Sequence, residues 1–386
     1  MGNKKQILRQ VEKVEMTFIC EIYDLNKEDK KMVEWKLEGE ALKRADSIHH
    51  NSIVVDMLLS TNLAKPTQII NGENALDRVI RIGGITAAHQ TLVGSENRTF
   101  RGALKEMNIL YRLASQRPDK VMIVTKPSHI EKAKDEGKLG LIMGFQGCDP
   151  LEDDWMNTLS VLYRMGARVV ALTYNERNLL GSGCTEPKDD GLTAYGAQVV
   201  RGMNQLGIII DLSHVGRRTA MDAMELSKDP VIFTHSNVNA ITPHVRNLAD
   251  EVIKAVAVKG GLIGIVAWEP ICARPGKEGT LSDFLDHLDY IVNLVGVDYV
   301  GIGSDRNDNM RAMPILSDFE VRYSYMLKNN KKKKPIPGVQ GYDEVHEIIN
   351  VTRGLVARGY SDGDIKKILG GNFMRVARQV WEKPDQ

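Results

Sequence analysis

Residues 207–236 read GIIIDLSHVGRRTAMDAMELSKDPVIFTHS, and the pattern in this stretch decides the fold. An apolar run (GIII) leads into an amphipathic segment, and a second apolar run (PVIF) follows. Runs this short and this continuous suit parallel strands buried on both faces, and the segment between them is long enough for a crossover helix. Outward from this unit the alternation repeats. SIVVDMLLS at 52–60, GGITAAH at 83–89, GLIMGFQG at 140–147 and RVVALTYN at 168–175 precede it, and GGLIGIVAW at 260–268 and DYVGIGSD at 298–305 follow. Stretches such as DDWMNTLSVLYRMG, TAYGAQVVRGMNQLG and LSDFLDHLDYIVNLVG supply the helices between them. Eight strand–helix units closing on themselves make a (β/α)₈ TIM barrel, the architecture expected here. An open doubly wound sheet is the runner-up, but no GxGxxG turn follows the first strand. The expected organisation is an N-terminal helical extension over 1–45 and one barrel domain over 46–386.

Composition agrees with a globular enzyme. The chain has 386 residues, 42% hydrophobic and 26% charged, which excludes a disordered chain over most of its length. With 51 basic against 50 acidic residues, the formal charge of +1 offers no broad cationic face for phosphates, so nucleic acid is not an expected partner. Four cysteines (Cys20, Cys148, Cys184, Cys272), none in a CxxC pair, argue against a disulfide framework and for a reducing compartment. The start MGNKKQILRQ has no apolar core of a secretory signal, and no run reaches the roughly 18 apolar residues of a spanning helix. A cytoplasmic protein with no membrane association is therefore expected. The lysine-rich KNNKKKKPIPG at 328–338 reads as a solvated loop.

Function is sought where polar residues end buried strands. Strand five ends in Asp211-Leu212-Ser213-His214, strand six in Thr234-His235-Ser236-Asn237, and strand eight in Ser304-Asp305. In a barrel these ends share one mouth, where active sites of this architecture lie. Two imidazoles suit zinc, which lowers the pKa of a bound water to about 7, and Asp305 is placed to move protons. Among the other histidines, His89 and His244 are candidates to face the mouth. His49 and His50 read as exposed helix-end residues, and His129, His287 and His346 as structural ones.

The series LTYNERN, GIIIDLSHVGRRTAMDAMELSKDPVIFTHSN, HVRNLADEVIKAVAVKGGLIGI, FLDHLDYIVNLVGVDYVGIGSD and ILGGNFMRV resembles the membrane (renal) dipeptidase family of zinc peptidases over about residues 45–381. The resemblance implies an amidohydrolase-type barrel with a binuclear zinc site that cleaves dipeptides. His214 and His235 match the histidines that hold one zinc of the pair. Asp305 matches the aspartate of proton transfer, and Arg246 the arginine that grips the substrate's carboxylate, a role its planar fork suits. The departures lie elsewhere. Where the family has DGHND, this chain has Asp56-Met57-Leu58-Leu59-Ser60, so Leu58 and Ser60 replace both ligands of the other zinc. Gln146 stands for the bridging glutamate, Tyr174 for a histidine near the scissile carbonyl, and Trp268 for the aromatic facing it.

Two readings follow. In the first, one zinc sits on His214 and His235, completed by water and by Gln146 or Asp305. The enzyme then hydrolyses a C–N bond in a small carboxylate-bearing or dipeptide-like substrate, with Asp305 as base, Arg246 and Trp268 binding substrate, and Tyr174 donating to the oxyanion. In the second, a metal-free binding protein or diverged enzyme offers a mouth lined by Leu58, Phe145, Tyr174 and Trp268. Cys148 reads as a plain buried thiol before a soft ligand, and a homodimer is one assembly open to the chain.

Overall fold

Each of the eight apolar runs contributes one strand. The computed structural model describes residues 37–60, 69–70, 73–93, 98–306 and 338–382. Its barrel strands are β1 (Val55–Leu59), β2 (Ala87–Thr91), β3 (Leu139–Phe145) and β4 (Ala167–Ala171). They continue with β5 (Ile209–Asp211), β6 (Val231–Phe233), β7 (Leu262–Ile265) and β8 (Val300–Ile302). All neighbours pair in parallel and in chain order. The ring is closed between β1 and β8 by a parallel bridge of Leu59 to Arg306 and by the Asp305 N–H donating to the Leu58 carbonyl at 3.0 Å. The chain therefore folds as a (β/α)₈ barrel.

Helices lie between and around the strands: α1 (Gly39–Asn51), α2 (Phe100–Gln116), α3 (Pro127–Asp135), α4 (Trp155–Arg164), α5 (Ala194–Leu206), α6 (Arg217–Leu226), α7 (Asp250–Val258), α8 (Leu281–Val295), α9 (Ile349–Ala357) and α10 (Asn372–Trp381). Local chemistry sets their ends. Thr193 caps α5 by accepting from the Gly196 N–H, and Gly207 stops it at φ +76°, where a side chain would be strained. Thr280 and Asp283 form a reciprocal capping box at α8. The β2 to β3 crossover holds one element the sequence pattern did not reveal, a strand Val121–Ile123 pairing with the start of β3.

The far end of the barrel is plugged by α10. Phe373, Met374, Val376, Ala377 and Val380 pack with Val55, Ala87, Ile209 and Leu262, the first residues of β1, β2, β5 and β7. That apolar plug leaves the opposite mouth for polar work. The boundary expected at residue 45 falls inside α1, and residues 1–36 of the expected extension lie outside the described residues, as does the lysine run up to Gly338. One expectation is corrected here. His49 is buried, bonded to Thr352 Oγ1 at 2.7 Å and to the Gly83 carbonyl at 2.8 Å, because α9 packs on that face of α1. Burial pushes its pKa down to about 4. His50 is exposed, as expected.

Candidate active site

His214 and His235 meet. Their Nε2 atoms lie 2.8 Å apart, both rings buried. The other nitrogen of each ring fixes its tautomer. His214 Nδ1 lies 2.7 Å from Asn175 Oδ1, an acceptor, so it carries the proton. His235 Nδ1 lies 2.7 Å from Thr234 Oγ1, and the Thr234 hydroxyl donates to Asp211 Oδ2 at 2.6 Å, so the hydroxyl accepts from the ring. Burial first, and then the Arg246 charge, lower both pKa values well below the ordinary histidine range, so neither ring is cationic. Two Nε2 lone pairs thus face each other without a proton between them. That arrangement is repulsive by itself and fits a cation held by both nitrogens. Among the described residues no cluster of three or more His, Cys, Asp and Glu surrounds a metal position, so a third protein ligand would have to be of another type.

The strand-one residues Leu58, Ser60 and Asp56 are otherwise engaged. Leu58 is fully buried. The Ser60 hydroxyl donates to Asp305 Oδ1 at 2.6 Å. Asp56 accepts from the Ser304 N–H at 2.9 Å, the Leu58 N–H at 3.1 Å and the Ser304 hydroxyl, which commits its carboxylate to the β1–β8 seam. Burial raises the Asp56 pKa to about 7 despite those three donors. Asp305 is raised as well, by burial, with the Ser60 hydrogen bond and then the Arg306 and Arg246 charges opposing.

Arg246 is only 3% exposed, donates through Nη2 to the His235 carbonyl at 3.2 Å, and has a buried Nε with no partner. It makes no ion pair with any described residue. A buried guanidinium without a direct ion-pair partner is costly, and a ligand carboxylate would supply one. Tyr174 lies on the face of His214, ring centroids 4.3 Å apart and planes 25° apart, with the Arg98 guanidinium 5.3 Å above it. Strain gathers at this mouth: of the four described non-glycine residues with positive φ, Asn175 (+21°), His214 (+67°) and Asp305 (+51°) belong to it, and only Glu152 (+52°) lies elsewhere.

The structure therefore brings His214, His235, Arg246, Asp305 and Tyr174 into one group. Gln146 follows the end of β3 and Trp268 that of β7, without a hydrogen bond to that group among the described residues; Trp268 Nε1 is buried and unpartnered. Phe145 is a correction. It packs with Cys148, Leu151, Leu159, Leu162 and Val170 beneath α4, because strand alternation sends it to the helix side when Gln146 takes the other. Cys148 donates to the Ala171 carbonyl at 3.2 Å, and burial holds its thiol well above the usual range, so it is an inert core thiol. His89 gives one nitrogen to the Met57 carbonyl at 2.9 Å and keeps a buried, unpartnered Nε2, while His244 accepts from the Arg246 N–H at 3.1 Å. His287 is structural, bonded to the Val238 N–H and the Cys272 carbonyl. Sequence reasoning missed Asn175, Thr234, Asp211 and Ser60 as the residues that orient the others. Their one visible signal was polarity at strand ends.

Residues 42–327 match the family model described as "Membrane dipeptidase (Peptidase family M19)". A curated relative, "Dipeptidase tcpJ" of Claviceps purpurea, is 30% identical over 284 residues, 73% of this chain and 60% of that protein, so this chain spans well under two thirds of that relative's length. Among solved structures, an amidohydrolase from Pseudomonas aeruginosa is 31% identical with a TM-score of 0.76, covering 88% of this chain and 99% of that one. A metallo peptidase from Rhodobacter sphaeroides, liganded with a phosphinate mimic of the dipeptide L-Ala-D-Ala, shares the fold at 20% identity and a TM-score of 0.70, covering 86% of this chain and 100% of its own. No described helix is long and apolar enough to cross a membrane. With a barrel of this topology, a histidine pair at its mouth and a family match over most of its length, the chain belongs to the membrane dipeptidase family.

Proposed function

We propose that the protein hydrolyses an amide C–N bond in a small, carboxylate-bearing, dipeptide-like substrate, at a site holding one zinc ion where the family holds two. The observation that carries this reading is the pair of neutral imidazoles with both Nδ1–H groups tied back and both Nε2 lone pairs converging at 2.8 Å. His214 and His235 would hold the ion, with Gln146 or water completing its shell. When bound, zinc supplies Lewis acidity that makes an attacking water acidic enough to ionise near neutral pH. The chain's own residues do the rest. Arg246 grips the substrate carboxylate, Trp268 flanks it, and Tyr174 donates to the developing oxyanion. Asp305, its pKa raised toward the working range, takes the water's proton and returns it to the leaving nitrogen, while Ser60 orients its carboxylate.

The replacements Leu58 and Ser60 support a second reading, a metal-free binding protein on the same barrel. One experiment separates the two. Protein purified without chelator is assayed for metal per chain and against L,L- and L,D-dipeptides, N-acyl amino acids and small cyclic amides, as wild type and as Asp305→Asn. About one zinc per chain and turnover lost in the variant are expected; two ions per chain overturn the single-zinc reading, and silence in a metal-free protein favours the binding module. The same proposal places the chain in the cytoplasm as a homodimer, with the residues before α1 as an extension to the barrel. The free thiols of Cys148, Cys184 and Cys272 support a reducing compartment.

A further inference from the structure

The two imidazoles are oriented by different chemistry. Behind His235 stands a hydroxyl and then the buried Asp211 carboxylate, which also accepts the Ser213 N–H at 2.8 Å and the Thr234 N–H at 3.0 Å. Behind His214 stands only a neutral amide. Asn175 Oδ1 takes the Nδ1–H at 2.7 Å, and the Cys184 thiol points at the same oxygen from 3.6 Å. We propose that Asn175 is the positioning residue of His214: it holds the tautomer and plane that aim Nε2 at the metal position, and so sets the zinc affinity of this half of the site. The inference rests on the zinc reading above.

The surroundings are built to hold that amide in place. Asn175 sits at φ +21°, a region that asparagine tolerates better than most side chains, and it persists there because neighbours fix it. Its carbonyl accepts from the Thr185 N–H at 3.0 Å and the Thr185 hydroxyl at 2.7 Å. Gly183 pairs with Val215 right beside it, and a Cβ at 183 would fall 2.0 Å from the Asn175 carbonyl oxygen, so only glycine lets the two segments pass. The preceding residue, Tyr174, lies on the face of the same imidazole. Consecutive residues of one loop thus fix both the edge and the face of His214. The Cys184 N–H, donating to the His214 carbonyl at 2.8 Å, ties the ligand's backbone to that loop.

The test uses the whole chain as wild type, Asn175→Gly and Asn175→Asp. Glycine removes the amide without straining the backbone, and aspartate restores an acceptor in the same place. Zn²⁺ affinity is read by competition with a chelating dye, and the His214 tautomer by ¹⁵N NMR on metal-free protein. Asn175→Gly should weaken zinc about 10- to 100-fold, the usual effect of losing a partner behind a metal-bound histidine. It should also shift His214 away from the pure Nδ1–H form, and Asn175→Asp should recover both properties. Unchanged affinity, or an unchanged tautomer, in Asn175→Gly overturns the proposal. A wild type that binds no zinc overturns the zinc reading instead, and the metal-free tautomer measurement still decides whether Asn175 controls His214.

Discussion

The Ser60 hydroxyl donates to Asp305 at 2.6 Å. Burial pushes the Asp305 pKa up and this bond pulls it back. Removing the bond in Ser60→Ala should therefore raise that pKa further, because the charged form loses a donor. A base must be ionised to work, so the acidic limb of kcat/KM should move to higher pH; a limb that stays put would show that Ser60 only fills space. Arg246 makes a sharper case. Its Nε has no partner and it makes no ion pair with a described carboxylate, so Arg246→Ala should cost about 2–4 kcal/mol of substrate binding, read as a rise in KM. Arg246→Lys should recover only part of this, because an ammonium keeps the charge and loses the fork. The strand-end positions of His214, His235 and Asp305 were legible because polar residues interrupt apolar runs. Asn175 and Ser60 were not, since orienting a neighbour depends on which atoms meet across strands far apart in sequence.

The elements were legible to the extent that their burial is two-sided. Eight apolar runs gave eight strands, because in a closed parallel ring nearly every strand residue is covered. Val121–Ile123 escaped notice, being three residues long and paired only with the start of β3. Phe145 was misplaced for a related reason: a run apolar on both faces hides which residue faces the helices and which the mouth. His49 was misjudged because a polar residue near a helix end reads as exposed until a second helix covers it. The plug formed by α10 carries a prediction about the separation of stability from function. Phe373 is 2% exposed, among the first residues of the strands and in edge contact with Trp381. Phe373→Ala should lower unfolding free energy by about 3–5 kcal/mol, measured by urea denaturation. KM should be unchanged, because the plug closes the end of the barrel opposite the mouth.

For the molecule as a whole, net charge near zero leaves pH dependence to a few buried groups whose effects oppose one another. His214 and His235 have folded pKa values well below 6.5, and His49 and His287 fall to about 4, all by burial. The unfolded chain takes up protons at these positions below pH 6.5 and the folded chain does not, so stability is lost as pH falls through that range. Asp56 acts in reverse. Its folded pKa is raised from 3.8 to about 7, so between those values the folded state keeps a proton that the unfolded state releases, and its contribution to stability declines as pH rises. At most, one such group changes stability by about 1.4 kcal/mol per pH unit. Asp56→Asn deletes this opposing slope while keeping an oxygen that can accept from the Ser304 and Leu58 N–H groups. Unfolding free energy of chelator-treated protein, measured from pH 4.5 to 7.5, should therefore climb more steeply with pH in the variant than in the wild type, with the two curves running parallel above pH 7. Curves parallel across the whole range would mean that the three donors around Asp56 keep it ionised in the folded barrel and outweigh its burial.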